Sequence, residues 1–533
     1  MENDGEEAMA RNGVSSLSLG PEKLPSRAGL VVVGGGVIGC SIAREASRYT
    51  PDIVVLEKEA DVACGTSKAN NAEVHSGIGE DAGTLKQKLN VRGNQMYDEF
   101  VRGLGVELKR QGLLIVVTQR TIPRDGGMPE DERMELLTRK IPEGIVAYGK
   151  NAGIEGLRIL ARDEVFRMEP NVTREAVAGV FDPTYGLISP YKLTIALAEH
   201  AVINGARVFL DTEVTGFRVE DGAVRAVVTN RGEIETSLVV NAAGVFADEV
   251  ADMAGAGGFV IHPRKGATLL FDRQVTAEYV KSSVAEFRLP GQKTTQSKGG
   301  GAMPTAEGNL QLGPTAIEVE DKYDTSISAE EIEEIFERFH YLLPDFPRDA
   351  LISAFSGVRA PTREEDFVIG ASEAVRGFVN VAGIQSPGLA SAPAIAEMVL
   401  GILHDLGLPR EPRPDFDPVR TTPPKFSELS NRERNRLIRE DPRWGNVICR
   451  CETVTEMEVV NAIHSIIPAT NMDAVKRRTR TGMGRCQGGF CHNRVAAILA
   501  RELGISVTEV TKDGEGSPVF LGAAKDFLDG GRR

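Results

Sequence analysis

The chain is poor in aromatic residues, in cysteine and in positive charge. Aromatics make up 5% of the 533 residues, and Trp444 is the single tryptophan. The formal net charge is −14, so non-specific attraction to a nucleic-acid backbone or an anionic lipid surface is not expected. No run of apolar residues is long enough to cross a bilayer as a helix. The segment Met1–Glu7 is acidic and lacks the basic-then-apolar order of a signal or transit peptide. A cytoplasmic location is therefore expected, with peripheral membrane association left open. Six cysteines in a chain of this length do not make a disulfide framework. Four of them, Cys449, Cys451, Cys486 and Cys491, crowd toward the C-terminus, which points to metal or redox chemistry instead. Cys40 and Cys64 read as ordinary packed residues.

What is present suggests about three to four domains' worth of chain. Residues 1–27 read as a disordered tail. Residues 28–405 alternate apolar strand-like runs with helical stretches. Residues 406–446 are rich in proline and arginine and read as an extended linker with a short charged helix near Arg432–Arg439. Residues 447–523 form a compact unit with helical patterns of its own, and 524–533 a second tail.

The ordered part opens on Leu30–Val33, an apolar strand, followed by Gly34-Gly35-Gly36-Val37-Ile38-Gly39. A helix with apolar spacing comes next, and a second strand, Ile53–Leu56, closes on Glu57. Gly34 permits the tight turn, Gly36 lets the backbone approach a pyrophosphate, and Gly39 lets helix pack on strand. The N–H groups and dipole of the helix start, at Val37 and Ile38, suit the phosphates. Glu57 is placed to accept hydrogen bonds from ribose hydroxyls, which argues against a 2′-phosphate. Together these parts specify a dinucleotide site.

Three later blocks narrow the dinucleotide: Thr66-Ser67-Lys68-Ala69-Asn70-Asn71-Ala72-Glu73-Val74-His75-Ser76-Gly77, Val239-Val240-Asn241-Ala242-Ala243-Gly244, and Val379-Asn380-Val381-Ala382-Gly383-Ile384-Gln385-Ser386-Pro387-Gly388-Leu389. They resemble the FAD-binding blocks of the D-amino-acid oxidase superfamily, in the branch of glycerol-3-phosphate dehydrogenases and oxidases and L-2-hydroxyglutarate oxidases. The blocks Gln296–Thr305, Gly308–Pro314 and Phe355–Ala360 resemble the glycerol-3-phosphate enzymes too. The resemblance implies an α/β Rossmann-type FAD-binding domain with an interleaved α+β substrate domain. Thr66 and Ser67 would offer hydroxyls to the pyrophosphate. Val214 would touch the adenine. Lys58, Ala243, Gly244, Gly383 and Leu389 would line the cofactor. Pro387-Gly388 would open a helix beside the flavin pyrimidine, where its N–H groups favour negative charge.

The resemblance also implies a substrate site. His75 would take the proton of a substrate hydroxyl while hydride leaves the adjacent carbon, a task suited to imidazole. Arg359 would grip a carboxylate or phosphate in a two-pronged contact, Lys298 would add a second positive charge, and Ser386 would hydrogen-bond the substrate or the flavin edge. Asn71-Ala72-Glu73 departs from the small, uncharged stretch usual before the histidine, and a carboxylate there would oppose a substrate anion.

The C-terminal unit opens on Cys449-Arg450-Cys451-Glu452, with 34 residues lying between Cys451 and the run Cys486-Gln487-Gly488-Gly489-Phe490-Cys491. Four thiolates satisfy a [2Fe-2S] core; zinc is the alternative. Cys449 and Cys451 read as ligands of one iron, and the glycine-rich pair, Cys486 and Cys491, as ligands of the other. Lys476-Arg477-Arg478, Arg480 and Arg485 read as compensation for the cluster's negative charge. The unit, mainly helical, resembles the bacterioferritin-associated-ferredoxin-like [2Fe-2S] domain appended to anaerobic-type glycerol-3-phosphate dehydrogenases.

The resemblance therefore implies an FAD-dependent dehydrogenase of a small anionic alcohol, foremost glycerol 3-phosphate. A 2-hydroxy acid or amino acid is the second substrate class. An electron-transfer or redox-sensing subunit with little turnover is the reading from another class. The partner expected is a downstream electron carrier: a ferredoxin, a quinone-linked protein or another iron–sulfur subunit.

Overall fold

The computed structural model describes residues 23–124, 127–277, 279–289, 300–522 and 524. A six-stranded sheet lies at its centre, built from β1 (Leu30–Val33), β2 (Ile53–Leu56), β3 (Arg207–Phe209), β4 (Val239–Asn241), β5 (Val368–Ala371) and β6 (Phe378–Ala382), in the order β5-β6-β4-β1-β2-β3. All pairs are parallel except β5 with β6. Strands buried on both faces read as unbroken apolar runs, and β1 and β2 are such runs. Their side chains alternate between two cores. Leu30, Val32, Ile53 and Val55 face a helical layer; Val31, Val33, Val54 and Leu56 face the opposite core.

The helical layer comprises α1 (Val37–Ala46), α2 (Leu85–Phe100), α3 (Pro190–Ile203) and α4 (Gly388–Asp405), whose apolar residues share that first core. On the opposite face lies an antiparallel sheet of Val214–Glu220, Ala223–Thr229 and Gly232–Glu235. A separate nine-stranded sheet forms the substrate domain, with Leu113–Thr118, Arg264–Phe271 and Leu351–Arg359 among its strands. Its strands come from chain segments between those of the first sheet, so the two domains interleave. Helix Ala329–His340 covers it through Ile335, Phe336 and Phe339.

Residues 1–22 and 525–533 lie outside the described residues, and with them most of the two tails. Residues 23–27, grouped with the tail from sequence, lie along the strand Gly232–Glu235: Arg27 bridges to Glu235, the Glu235 N–H donates to Ser26 O, and Leu24 packs on the adjoining core. The proline- and arginine-rich stretch after α4 is pinned to the body. Arg413 donates to the carbonyls of Ser47 and Asn204, and Arg420 pairs with buried Glu199. Its charged helix runs Asn431–Glu440, capped by Ser430 with Glu433. The C-terminal unit folds a short hairpin (Val447–Cys449 with Val454–Thr455) and helices Glu456–Ile463, Met472–Thr479 and His492–Leu503 around its own core.

Candidate active site and electron-transfer centre

One cavity of about 960 Å³ runs from the β1–α1 turn to the start of α4. At its first end the glycines behave as their spacing requires. Gly34 has φ +110, and a Cβ there would come 2.4 Å from the Ala242 carbonyl oxygen. A Cβ on Gly39 would come 2.0 Å from Gly34 O, so Gly39 packs the helix and does not line the cavity. The Val37 N–H at the start of α1 donates to Ser67 Oγ at 2.9 Å. Gly36 and Ser67 thus form a cradle in which a Cβ on Gly36 would stand 3.3 Å from that hydroxyl.

Glu57 accepts the N–H groups of Gly35 (2.8 Å) and Glu59 (3.0 Å). Burial nonetheless pushes its carboxyl up to about 7, because desolvation outweighs the two donors. Thr66 turns its hydroxyl proton to Val358 O at 2.6 Å, so what it holds toward the cavity is an acceptor. Lys58 lies over the rings of Phe246 and Tyr323, 3.7 and 4.5 Å from their centroids. Ile38, Val214, Ala243 and Gly244 line the same end.

At the other end α4 begins at Gly388 with no side-chain cap, leaving N–H groups of its first turn for a ligand. Gln385, Ser386, Pro387, Gly388 and Leu389 line the wall. Gly383 lies behind it with φ +70, where a Cβ would come 2.8 Å from Asp366 O.

His75 follows the short strand Glu73–Val74. Its carbonyl is held by the amides of Asn90 (2.7 Å) and Asn94 (3.0 Å) on α2, and its ring meets Tyr185 edge-on, 5.4 Å between centroids. Nε2 lies 3.4 Å from Ser386 Oγ and 3.7 Å from the Glu73 carboxylate. The other Glu73 oxygen takes the Tyr185 hydroxyl. The carboxylate that the sequence sets against an anionic substrate is thus held by neighbouring side chains.

Arg359 ends the strand Leu351–Arg359, in register with Arg264. Arg264 pairs with Glu318 and Glu365. Arg359 donates to Thr315 O at 3.0 Å, and among the described residues no carboxylate lies within ion-pair distance of it. Burial, reinforced by Arg264, pushes its pKa down to about 10. Gly266 makes room for it, since a Cβ there would stand 2.3 Å from Nη2. Lys298 lies outside the described residues. Arg264 and Tyr185 are cavity residues that sequence reasoning missed; no motif marks them, and only the pairing of distant strands brings them in, whereas Gln385 lies within the block Val379–Leu389, which assigns it no role.

The four cysteines of the C-terminal unit meet, but not in the pairs expected. Cys451 Sγ and Cys486 Sγ are 3.6 Å apart, and the Cys491 thiol hydrogen-bonds Cys449, holding the latter's pKa down. Each pair takes one thiol from the hairpin and one from the glycine-rich loop, because the loop folds across the hairpin. Among the described residues no three donors gather around a single point; two close pairs suit the two irons of a [2Fe-2S] core, which want four thiolates. Cys449 and Cys491 are buried, whereas Cys486 is exposed.

Of the basic residues expected to offset the cluster charge, Arg477, Arg478 and Arg485 pair with acids of the other domains, and Arg480 pairs beside Cys451. Arg477 and Arg478 pair with Asp61, Arg480 with Glu452, and Arg485 with Asp272. Their partners come mostly from the flavin and substrate domains, far away in sequence.

A Rossmann turn, an acid closing β2, a second uncapped helix start and a histidine facing the same cavity define an oxidoreductase that binds a flavin dinucleotide. The chain belongs to the FAD dependent oxidoreductase family, whose model matches residues 30–400, and it carries a BFD-like [2Fe-2S] binding domain at residues 447–501. FAD and a [2Fe-2S] cluster are its cofactors. It is 42% identical over 496 residues to a glycerol 3-phosphate dehydrogenase of Caloramator mitchellensis, covering 93% of this chain and 98% of that protein. It is 30% identical over 382 residues to a glycerol 3-phosphate oxidase of Mycoplasma genitalium, covering 70% of this chain and 94% of that protein. Among solved structures it is similar to the FAD-bound L-alpha-glycerophosphate oxidase of Mycoplasma pneumoniae, with a TM-score of 0.66 and 27% identity over 75% of this chain and 100% of that one. Among the described residues no helix is long and apolar enough to cross a membrane.

Proposed function

We propose that the protein oxidises glycerol 3-phosphate to dihydroxyacetone phosphate and delivers the electrons through its [2Fe-2S] unit to a protein acceptor. The observation that carries the substrate reading is Arg359. It is a half-buried guanidinium with no carboxylate partner among the described residues, in the cavity that His75 also lines. A cation partly withdrawn from water without a counter-ion is poised for an anion, and a phosphate bound in two-pronged fashion supplies the missing charge. The names of the relatives agree with this choice.

Arg359 and, by the same reading, Lys298 hold the phosphate. His75 Nε2 takes the proton of the substrate hydroxyl, and Ser386 Oγ, beside Nε2, fixes that hydroxyl by a hydrogen bond. FAD would supply the hydride acceptor for the carbon that bears this hydroxyl, so the alcohol would lose one proton to His75 and one hydride to the cofactor. The uncapped helix start at Gly388 would favour negative charge on a bound flavin. Ser67 and the α1 start hold the pyrophosphate, and Glu57 the ribose. Cys449, Cys451, Cys486 and Cys491 hold the cluster.

The test is anaerobic mixing of the purified holoprotein with glycerol 3-phosphate, L-2-hydroxyglutarate, lactate and amino acids. Bleaching of the flavin band by glycerol 3-phosphate alone is the expected result. Bleaching by a hydroxy or amino acid in its place overturns the substrate reading, and bleaching by none favours an electron-transfer role without turnover.

A further inference from the structure

Asp61 lies in the loop that leaves β2, between Glu57 and the Thr66–Ser67 lip of the cavity, and it is completely buried. Neither the flavin seat nor the substrate site described above uses it. Its Oδ2 accepts from Arg477 Nη2 (2.9 Å), Arg477 Nε (3.2 Å) and Arg478 Nη1 (2.8 Å). Its Oδ1 accepts from Arg478 Nη2 (3.0 Å) and the Val62 N–H (2.9 Å). Both arginines close the helix Met472–Thr479 of the iron–sulfur unit.

A second link joins the same two surfaces with the charges reversed. Lys68, from the flavin loop, reaches Asp513 at 3.3 Å, and Asp513 also touches Arg477 at 3.4 Å. The Asp61 and Lys68 contacts cross between the two units with opposite sign, and buried Asp61 loses both its arginines when the units separate, although Arg477 keeps Asp513 of its own unit. Breaking one member leaves the remainder uncompensated. The loop that bears Asp61 also bears Ser67, which caps α1 at the pyrophosphate seat. One short segment therefore fixes both the cofactor's phosphates and the iron–sulfur unit.

We propose that Asp61 is a positioning residue that locks the iron–sulfur unit onto the flavin loop and thereby sets the separation between the two redox centres. Electron tunnelling falls exponentially with that separation, so a small displacement of the unit is costly in rate. The contacts of Arg273 and Arg485 on the side of the cysteine loops keep the unit from leaving altogether. Loss of Asp61 loosens it without releasing it.

The proposal rests on electrons passing from flavin to cluster, and its test separates that from the docking. Asp61→Asn holoprotein, prepared without air, is compared with the parent for FAD, iron and sulfide content, for amide hydrogen exchange of residues 472–479, and for cluster reduction after light-driven reduction of the flavin with EDTA as donor. No substrate enters, so the identity of the alcohol has no bearing. Expected are unchanged cofactor content, exchange about tenfold faster and cluster reduction about tenfold or more slower. Arg478→Gln, which leaves Arg477 on Asp61, shows the same signs and carries the test if Asp61→Asn fails to fold. Unchanged exchange overturns the docking role. Faster exchange with unaltered cluster reduction overturns the positioning role. No cluster reduction in the parent protein overturns the electron route on which the proposal rests.

Discussion

His75 and Arg359 divide the work at the residue scale, one handling a proton and the other a charge. His75→Ala is expected to slow reduction of the flavin by substrate about 100-fold while FAD stays bound; stopped-flow bleaching of the flavin band measures this. Arg359→Gln removes charge-assisted hydrogen bonds worth about 1.5–3 kcal/mol, so KM for the phosphate substrate should rise about 10- to 150-fold, with kcat less affected. Arg359→Lys should recover little, because an ammonium cannot make the planar two-pronged contact. Equal loss in both steady-state constants would instead assign Arg359 to the reacting centre. The histidine is legible in the sequence as a candidate because it lies within a motif. The isolation of Arg359 from carboxylates is not, because its register neighbour Arg264 comes from a distant strand and takes both nearby acids.

At the scale of elements, the β1–α1–β2 unit is legible almost whole. Its strands are unbroken apolar runs, its turn is glycine, and its contacts are local. Two consequences follow from its geometry. Gly39→Ala places a methyl 2.0 Å from a backbone oxygen that cannot move freely, so the variant should unfold at lower temperature and lose FAD, both measurable by thermal melting with flavin fluorescence. Glu57 has a folded pKa raised from 4.5 to about 7. The folded chain without cofactor therefore holds more protons than the unfolded chain across that interval, and its stability falls as pH rises from 4.5 toward 7. Glu57→Gln should flatten that decline in denaturant titrations of the FAD-free protein. A slope identical to the parent's would mean that the carboxyl titrates normally. The connector between α4 and the iron–sulfur unit reads from sequence as an extended linker with a short charged helix, and the structure adds where the linker is fastened. Its prolines keep residues 406–425 from regular structure, and Arg413 and Arg420 find backbone and acid partners on the body.

Across the whole molecule, two redox centres are held in one chain by buried ion pairs. Cys486→Ser should abolish the cluster, since its thiol is half of one close pair. Flavin bleaching by substrate should persist while electron delivery to a protein acceptor disappears, as followed by iron and sulfide analysis beside acceptor reduction. Loss of substrate bleaching together with the cluster would show that the iron–sulfur unit is needed to build the flavin site. The basic run of the C-terminal unit is where sequence misleads at this scale. Charge suggests a role toward the cluster, but Asp61 and Asp272, hundreds of residues upstream, pair with Arg477, Arg478 and Arg485, leaving Arg480 beside Cys451.

The sequence by itself determined the dinucleotide turn, the cysteine set and the order of the domains, because each is written in residues that stand close together and act through backbone geometry or thiol chemistry. Only the tertiary structure decided which thiols pair, which arginine is left without an acid, and how the iron–sulfur unit is fastened to the flavin loop. Those outcomes depend on which distant charges reach one another once the chain has folded, and opposite charges pair by proximity in space, with no regard to separation along the chain.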